Sequence, residues 1–494
     1  MLQPASIAAT SAAASAAIID GRREGRGNAK VGMVLNVVVM AAGQGTRMRS
    51  KRPKVLHVLG GRQLLQHVLG AVASLGATRT VVVTGHGAAE VEQSVHAPGL
   101  AFVRQEPQLG TGHAVQQAAP LLDDDGTTLV LNGDVPLIEP ATLRALVDAC
   151  AGERLALLTI ELADPRGYGR VVRTAKGTRR DAIAAIVEEK DASADVRALR
   201  EIYTGVMAAP TRHLKRWLAA LRNDNAAREY YLTDVVGIAV GEGVEVVGVA
   251  AHGETEVLGV NSPAQLAELE RRHQRATAAR LMADGVRIAD PARFDVRGEL
   301  TCGSDVEIDV GCIFEGSVEL GDDVTVGAYC TLKNARVAAG ATIRPYTLID
   351  GEALGASVGE RALVGPFARL RGGAELGADV HVGNFVEIKN STLGTAAKAN
   401  HLAYLGDTDV GERVNFGAGS ITANYDGADK HRTTIGADAH IGSNCVLVAP
   451  VEIGAGATIG GGSTIAKAAP AGELTIARAR QTTLRGWKRP VKKR

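Results

Sequence analysis

The sequence predicts an α/β domain with a Rossmann-like mixed sheet, followed by a left-handed parallel β-helix built from hexapeptide repeats. Two patterns predict this order. From Asn36 onward, short β-branched runs alternate with helical patterns, and beyond about residue 286 aliphatic residues recur at every sixth position. Size and composition agree, because 494 residues exceed one ordinary core, and 59 glycines with 3% aromatic residues suit a solenoid.

Composition excludes several classes of protein. With 55 Lys and Arg against 54 Asp and Glu, the chain has no overall basic field for nucleic acid or a membrane surface. The five cysteines include no CxxC pair, which argues against a disulfide framework or a zinc site. No apolar run approaches the ~20 residues of a membrane helix. We therefore expect a cytoplasmic protein, with residues 1–32 as a disordered N-terminal extension.

Four apolar runs define the first domain, predicted over residues 33–261. Because each run is almost entirely apolar, we expect parallel strands that helices cover on both faces. The runs are VVVMAA at 37–42, TVVVTG at 80–85, TLVLNGD at 128–134 and LALLTIEL at 155–162.

A helix is predicted to link the two halves over residues 262–285. Ser262-Pro263 is typical of a helix start, and Gly285 of a helix end. Its apolar residues are Leu266, Leu269, Ala276, Ala279 and Leu281.

The β-helix is predicted over residues 286–476, with about ten coils of three hexads each. The period of six is clearest at Ile435, Ile441, Leu447, Ile453, Ile459 and Ile465. The register slips between Phe416 and Ile435, so the polar segment TANYDGADKHRT at 422–433 is expected to form a loop. Residues 477–494 form a basic tail, for which a solvated tail, a weak RNA-binding patch and contact with a ligand or a neighbouring chain all stay open.

A glycine-rich turn follows the first strand. In AAGQGTRMR the glycines let backbone N–H groups approach phosphates, while Arg47 and Lys54 supply positive charge. The spacing differs from both the P-loop pattern and GxGxxG, which weakens an ATPase or a dehydrogenase interpretation. Taken alone, the turn could be purely structural.

These residues carry a family resemblance. The stretch AAGQGTRMRSKRPKVLH is similar to the signature of sugar-nucleotide pyrophosphorylases, and QEPQLGTGH at 105–113, NGDVPL at 132–137 and YGR at 168–170 also match. With the hexapeptide half, the chain from about residue 34 resembles the bacterial bifunctional N-acetylglucosamine-1-phosphate uridylyltransferase and glucosamine-1-phosphate N-acetyltransferase family. The resemblance implies an α/β nucleotidyltransferase domain, synthesis of UDP-N-acetylglucosamine for peptidoglycan and lipopolysaccharide, Mg²⁺, UTP and acetyl-CoA, and a homotrimer.

The resemblance also implies the roles of residues in the first domain. Arg47 and Lys54 would be catalytic, and Asp134 and Asn261 would bind Mg²⁺. The nucleotide and its sugar would contact Ala42, Gly43, Gly45, Lys54, Gln105, Gly110, Thr111, Gly169, Glu188 and Asn261. The chain departs from the family at Tyr203, where an asparagine is usual. Asp134 could alternatively be a turn former at a strand end.

In the β-helix, the informative residues are those that the repeat does not require. Histidine is a natural base for deprotonating a sugar amine, and by resemblance His401 takes this role, with Glu387 as a plausible orienting partner. Glucosamine 1-phosphate would contact Arg371, Lys389, Tyr404, Asn415 and Lys430. Acetyl-CoA would contact Ala418, Asn424, Tyr425, Ser443, Gly461 and Arg478.

Two alternatives compete with this interpretation. The chain could be a sugar-nucleotide pyrophosphorylase whose β-helix is only regulatory, although such a prism would not need His401, Tyr404 or Lys430. It could also be a scaffold with a vestigial nucleotide domain, which Arg47 and Asp134 make improbable.

Overall fold

The computed structural model describes residues 34–174, 182–225, 227–490 and 492. The predicted N-terminal extension lies outside the described residues. The strands of the first half are β1 Leu35–Ala41, β2 Val58–Leu59, β3 Arg62–Gln63, β4 Arg79–Thr84, β5 Leu100–Arg104, β6 Thr127–Asn132, β7 Leu155–Glu161, β8 Arg170–Arg173, β9 Ile183–Val187, β10 Glu201–Pro210 and β11 Val246–Ala250. The helices are α1 Leu64–Ala73, α2 Ala88–Ser94, α3 Thr111–Ala118, α4 Pro140–Cys150, α5 Ala194–Arg197, α6 Thr211–Ala220, α7 Asp234–Gly241, α8 Glu254–Val257 and α9 Pro263–Ala283. Short 3₁₀ turns span Thr46–Met48, Lys54–Leu56, Ala119–Leu121 and Pro291–Arg293.

The first half is built on a mixed sheet in the order β11-β7-β10-β6-β1-β4-β5, with β8 and β9 attached to β10. The four predicted strands are present, shifted by one or two residues. Three of them, β1, β4 and β6, are parallel neighbours as expected. The fourth, β7, is separated from them by β10, which runs antiparallel to both β6 and β7. The fold class, including its mixed sheet, is confirmed: the four predicted strands run in one direction, and β10 is the antiparallel strand among them.

The core lies on both faces of this sheet. Alternate residues of β1 point to opposite sides, so Val37 and Val39 pack in one apolar cluster and Val38 in the other. All three are fully buried, which explains why the run carries no polar alternation. Because β1 and β6 are parallel neighbours, their carboxyl ends meet at one edge of the sheet, and the glycine-rich turn begins there.

Helix α9 joins the two halves. Its N-cap is Ser262, whose Oγ accepts a hydrogen bond from Gln265 N at 3.3 Å, and Pro263 occupies the first turn. The predicted apolar stripe is only partly correct. Leu269 and Leu281 are buried, whereas Ala276 and Ala279 are exposed, and the buried positions between them are Gln274 and Ala278.

The second half is a parallel β-helix with three faces. On the first face, eleven short strands pair in parallel, against about ten predicted coils: Arg287–Ile288, Glu307–Ile308, Thr325–Val326, Thr342–Ile343, Leu363–Val364, His381–Asn384, Lys398–His401, Asn415–Phe416, His440–Ile441, Thr458–Ile459 and Leu474–Thr475. Three longer strands bend across the other two faces: Phe294–Cys302, Cys312–Leu320 and Thr331–Val337. The second face continues with Leu348–Asp350, Arg369–Arg371, Glu387–Lys389, Tyr404–Gly406, Ile421–Ala423, Val446–Val448 and Thr464–Ile465, and the third with Ala356–Val358, Ala374–Leu376, Ser391–Leu393, Thr408–Val410, Thr433–Ile435 and Val451–Ile453.

The period of six fills the interior of the β-helix. All six aliphatic residues from Ile435 to Ile465 are at most 2% exposed and belong to one core cluster. The glycines that follow them occupy close corners, because a Cβ on Gly442 would lie 2.5 Å from the backbone N of Gly461. The predicted loop is also present. Residues 424–432 separate two faces and fold back through a bridge between Tyr425 and Lys430.

One corner of the β-helix carries exposed aromatic rings on successive coils. Tyr329, Tyr346, Phe367 and Phe385 stack with centroid distances of 5.3, 5.1 and 5.5 Å. Each ring is about half exposed, and Leu402, 63% exposed, takes the equivalent place on the next coil. We call these five residues the aromatic corner. On the following coil, Gly419 adopts the same left-handed backbone conformation, with φ +72°, and contributes no side chain to the corner.

The cysteines are free thiols packed mostly inside the protein. Burial raises the pKa of Cys302 and Cys312 to about 11 and that of Cys330 to about 12, so these thiols stay protonated at neutral pH. In the described part of the chain, no helix is both long and apolar enough to cross a membrane.

Candidate active sites

Three predicted residues of the first half converge at the carboxyl edge of its sheet. Lys54 Nζ lies 2.5 Å from Asp134 Oδ2 and 3.2 Å from Asn261 Oδ1. Asp134 follows β6, Lys54 begins a 3₁₀ turn, and Asn261 precedes Ser262, the N-cap of α9. Gly259 forms the adjacent wall, 3.7 Å from Asp134 Oδ2 when measured from a Cβ built on it. The side chains of Lys54 and Asp134 are 15% and 17% exposed, so the Lys54 ammonium lies between two oxygens at a partly buried site.

The glycine-rich turn leaves open backbone beside this group. Nothing lies within 4 Å of a Cβ built on Gly43, whereas a Cβ on Gly45, with φ +60°, would lie 2.9 Å from Lys54 Cβ. Gly45 is thus required for Lys54 to come close. The turn is fixed from the far side by Gln108 Nε2, which donates to Ala42 O at 2.7 Å. Arg47 lies in the Thr46–Met48 turn with its side chain exposed.

The predicted nucleotide-contacting residues around α3 are held in one network. Gln105 is 5% exposed, and its Nε2 donates to Gly110 O at 2.8 Å. Gly110 has φ +105°, and a Cβ there would lie 2.7 Å from Tyr230 O. Thr111 Oγ1 accepts from Leu232 N at 3.1 Å. The helix start therefore packs against residues 229–232, a contact that the sequence did not indicate.

Gly169, Glu188 and Tyr203 lie together in a buried corner. Tyr203 N donates to Gly169 O at 3.0 Å, and a Cβ on Gly169 would lie 3.7 Å from Glu188 Cδ. Burial raises the pKa of the Glu188 carboxyl, against a hydrogen bond from Thr233 Oγ1 at 3.0 Å. Tyr203 is 6% exposed, and its hydroxyl has no partner among the described residues. Burial and then the charge of Glu188 hold the pKa of this phenol well above 10.

A further group of possible metal ligands is formed by Glu139, His252 and Glu256. Its buried member, Glu256, already accepts hydrogen bonds from Thr142 Oγ1 at 2.8 Å and from His252 N at 2.5 Å. This carboxylate caps α8, and the group is explained by local structure.

In the β-helix, His401 is exposed at the corner where the first face ends. Its Nδ1 lies 3.0 Å from Asn384 Oδ1 on the preceding coil. Because an amide oxygen only accepts, Nδ1 carries a hydrogen, and in the neutral imidazole Nε2 is then the nitrogen that can accept a proton. The expected partner is wrong. Glu387 Oε1 instead accepts from Arg371 Nη1 at 3.2 Å, and Asn384 orients the imidazole.

Three of the predicted acetyl-CoA residues, Ala418, Ser443 and Gly461, lie at the same corner of the β-helix as His401, on the coils that follow it. Backbone bonds link the corner turns of successive coils, with Gly419 N donating to His401 O, Asn444 N to Ala418 O and Gly462 N to Ser443 O. Gly461 stands at the same place on the next coil, and its carbonyl accepts from Arg478 Nη1 at 2.5 Å. Small residues thus line this corner from His401 to the end of the prism.

Three cations lie together at the next face. Arg371 pairs with Glu387 at 3.2 Å and with Glu352 at 3.3 Å, and its buried Nε has no partner among the described residues. The Lys389 ammonium lies against Lys430, which, with burial and the charge of Arg371, lowers its pKa. A group that concentrates positive charge in this way is suited to an anion.

Three further predicted residues, Tyr404, Asn415 and Tyr425, make contacts within the β-helix and its loop. A Cβ on Gly406 would lie 2.3 Å from Tyr404 Oη, so the ring of Tyr404 lies over a glycine. Asn415 Nδ2 contacts His440 Nδ1 at 3.2 Å. Tyr425 is 62% exposed on the loop and donates to Gly427 O at 2.7 Å.

Asp407 is a residue that the sequence analysis missed. It is 7% exposed and accepts from Asn390 Nδ2 and Asn424 Nδ2, both at 2.5 Å. Through Asn424 it anchors the start of the loop at 424–432. Asp407 adopts a positive φ of 49° directly after Gly406, and since a backbone angle is not visible in the sequence, no sequence signal identified this residue.

The fold and these two groups of residues define a nucleoside-triphosphate transferase joined to a hexapeptide transferase. A family model described as MobA-like NTP transferase domain matches residues 37–233, and one described as bacterial transferase hexapeptide (six repeats) matches residues 432–467. The predicted enzyme classes, nucleotidyltransferase and acyltransferase, are confirmed.

The chain belongs to the family of the bifunctional protein GlmU. It is 70% identical over 465 residues to the bifunctional protein GlmU of Methylibium petroleiphilum, a match that covers 93% of this chain and 100% of the relative. It is 63% identical to that of Acidovorax sp. (strain JS42), with 93% and 98% covered, and 57% identical to that of Aromatoleum aromaticum, with 93% and 99% covered. The family resemblance seen in the sequence is confirmed.

Proposed function

We propose that the chain makes UDP-N-acetylglucosamine in two reactions at two separate sites. The β-helix acetylates glucosamine 1-phosphate with acetyl-CoA, and the α/β domain then transfers uridylyl from UTP and releases pyrophosphate. The observation that carries the proposal is that each half gathers the groups its own reaction needs: Lys54 between Asp134 and Asn261 in one, and an oriented His401 together with a cluster of three cations in the other.

Uridylyl transfer needs positioning and charge rather than a strong base. The attacking oxygen of a sugar 1-phosphate is already an anion, so the barrier depends on holding it in line with the α-phosphorus and on neutralising charge. We assign Lys54 and Arg47 to that neutralisation and the open backbone of Gly43 and Gly45 to the phosphates.

Magnesium fits the donor set at the sheet edge. Carboxylate and amide oxygens are hard ligands of the kind that Mg²⁺ prefers, and here Asp134 and Asn261 already share a cation, the Lys54 ammonium. We propose that these two residues hold Mg²⁺, which when bound neutralises phosphate charge. Lys54, which pairs with the same two oxygens, would then be free to turn toward the phosphates.

The uracil and the sugar are assigned to two neighbouring groups of residues, because Thr111 contacts Leu232 and Glu188 contacts Thr233. Gln105, Gly110 and Thr111 are assigned to the nucleobase side, since uracil offers both donors and acceptors to backbone and amide groups. Gly169 and Glu188 are assigned to the sugar. Gly169 lies beside the Glu188 carboxyl without a side chain, because a Cβ there would lie 2.9 Å from Ile186 Cγ2.

Acetyl transfer requires a deprotonated sugar amine. We propose that His401 Nε2 takes the proton as the amine attacks the thioester carbonyl, while Asn384 holds the Nδ1 hydrogen and so fixes the tautomer. The CoA thiolate leaves as the amide forms. The phosphate of the sugar would bind Arg371, Lys389 and Lys430, whose mutual repulsion it would relieve. Tyr404 and Asn415 would complete this pocket.

Acetyl-CoA would lie along the corner of small residues above His401. Ala418, Ser443 and Gly461 leave the groove without bulk, and Arg478 lies at its far end, where the CoA phosphates need a cation. Asn424 and Tyr425 would contact the cofactor from the loop at 424–432.

We further propose a homotrimer whose subunits meet at the aromatic corner. Stacked aromatic rings about half exposed on four successive coils form an apolar patch of the kind that marks protein contacts. The patch ends at Leu402, next to His401, so a neighbouring chain on it would close the side of the acetyl-transfer site. A cytoplasmic location and the predicted domain limits 33–261, 262–285, 286–476 and 477–494 belong to the same proposal.

A paired assay on the purified chain tests the two reactions. CoA release is measured from acetyl-CoA and glucosamine 1-phosphate, and pyrophosphate release from UTP and N-acetylglucosamine 1-phosphate with Mg²⁺. Both products are expected. Pyrophosphate without CoA release would instead support a pyrophosphorylase whose β-helix is regulatory.

A further inference from the structure

The two halves of the chain are connected by a chain of hydrogen bonds through helix α9. Glu270 Oε2 accepts from Gly60 N at 2.8 Å, and Glu270 Oε1 accepts from Gln274 Nε2 at 2.8 Å. Gln274 is 1% exposed and pairs with the backbone of Val296, donating to its O and accepting from its N, both at 2.8 Å. We call Glu270 and Gln274 the hairpin clamp. Every polar atom of the Gln274 amide is used, so its orientation is fixed.

The clamp grips the tip of the β2–β3 hairpin. Gly60 and Gly61 form this tip with φ values of +53° and +81°. A Cβ on Gly60 would lie 2.6 Å from His273 Nε2, and a Cβ on Gly61 would lie 2.3 Å from the carbonyl carbon of Arg297. The tip is therefore wedged between the helix and the first coil of the β-helix, with no room for side chains.

The clamped hairpin continues directly from the turn that carries Lys54. His57 N donates to Lys54 O at 3.2 Å, and Leu64 N donates to His57 O at 2.9 Å. One apolar cluster joins this region to α9: its buried members are Met48, Leu59, Leu64, Val260 and Leu269. Met48 belongs to the glycine-rich turn, and Val260 precedes Asn261. A displacement of the hairpin would thus move the base of Lys54 relative to Asp134 and Asn261.

We propose that Glu270 is a positioning residue for uridylyl transfer, which holds Lys54 in place through the amide of Gly60 and is itself anchored to the β-helix by Gln274. The inference rests on the proposed uridylyl transfer. It makes the first coil of the β-helix a structural part of the nucleotide site, although Glu270 itself contacts no substrate.

The test compares Glu270→Ala with a matched control, Glu268→Ala, in the full-length chain. Glu268 lies on the same helix but pairs with Arg272 at 3.0 Å on an exposed face. We expect Glu270→Ala to lower kcat for pyrophosphate release about tenfold or more, since a displacement of ~1 Å can cost up to about a hundredfold. Glu268→Ala should leave it unchanged. CoA release by the same protein should stay within twofold in both variants, which shows that the chain is folded.

A second comparison separates positioning from general stability. If Glu270 acts through Lys54, adding Glu270→Ala to a Lys54→Ala variant should lower the residual rate less than twofold. Glu270→Gln keeps the size of the side chain but offers one acceptor to two donors, so it should also lose rate.

Three outcomes would overturn the inference: an unchanged rate in Glu270→Ala, an equal loss of both reactions, or a full tenfold effect in the Lys54→Ala background. An unmodified chain without pyrophosphate release would refute the proposed function as well, whereas an active chain with an unaffected Glu270→Ala refutes this inference alone.

Discussion

Truncation of Phe367 to alanine tests the proposed assembly through the aromatic corner. The residue is 48% exposed and stacks between Tyr346 and Phe385 at centroid distances of 5.1 and 5.5 Å. A phenylalanine offers on the order of 200 Å², so neighbouring subunits would cover about 100 Å² of this one. At about 25 cal/mol per Å² of apolar surface, that burial contributes about 2.5 kcal/mol per subunit.

A trimer contains this contact three times, so the variant should lose about 7 kcal/mol of assembly free energy. Its dissociation constant should therefore rise about 10⁵-fold. Because that constant contains the square of the subunit concentration, the concentration of half-assembly should rise about 300-fold. Sedimentation velocity over a dilution series measures this midpoint. CoA release should fall at the same dilutions, since the acetyl-transfer site borders the corner, while pyrophosphate release should persist.

The matched control is Val240→Ala, which removes an apolar side chain that is 39% exposed on α7, far from the β-helix in the sequence. Its midpoint should equal that of the unmodified chain. The reasoning would be refuted if the Phe367→Ala midpoint stayed within threefold of the unmodified one, or if the control shifted it as much.

Two further predictions concern stability. His67 on α1 and His273 on α9 face each other at a centroid distance of 6.0 Å. Burial is the main cause that lowers both pKa values. His273 and Arg62 lower the pKa of His67 further, and Arg280 that of His273, while Glu270 acts in the opposite direction on both. At these two histidines the folded chain therefore binds fewer protons than the unfolded chain as the pH falls through about 6.5, and this contribution should lower Tm between pH 7.5 and 5.5. In a His67→Gln variant the decrease in Tm should be smaller, and an identical decrease would contradict the assignment. Tyr203→Phe removes a buried hydroxyl without a partner among the described residues, which costs about 1 to 3 kcal/mol, so Tm should stay constant or rise; a loss of more than about 1 kcal/mol in urea unfolding would show that this hydroxyl is bonded.

The sequence predicts most strongly where one physical rule governs a position. Each inward position of a hexad must be aliphatic, so Ile435 and Ile459 could be placed in the core from spacing alone. The partner of His401 could not be placed in this way. The coil between them holds 17 residues, one fewer than three full hexads, so Asn384 rather than Gly383 pairs with His401, while Glu387 pairs with Tyr404.

The buried face of helix α9 could not be predicted from the sequence, for a different reason. A buried glutamine contradicts an apolar stripe, yet Gln274 is buried because it pairs with the backbone of Val296, a residue of another element. Similarly, Lys54 and Asn261 are 207 positions apart, and their contact depends on how the hairpin and α9 pack. Resemblance to a family named these residues, whereas spacing gave no distance between them.

The central claim is that one chain holds two independent active sites, and a cross-comparison of two variants tests it most directly. Both reactions are measured for Asp134→Ala and His401→Ala, with the unmodified chain as the reference. We predict that Asp134→Ala loses pyrophosphate release by at least about a hundredfold, as when a stabilising group is removed from the reacting centre, while CoA release stays within twofold. His401→Ala should show the reverse pattern. If either variant lost both reactions while remaining folded, or neither, the account of two independent sites would be contradicted.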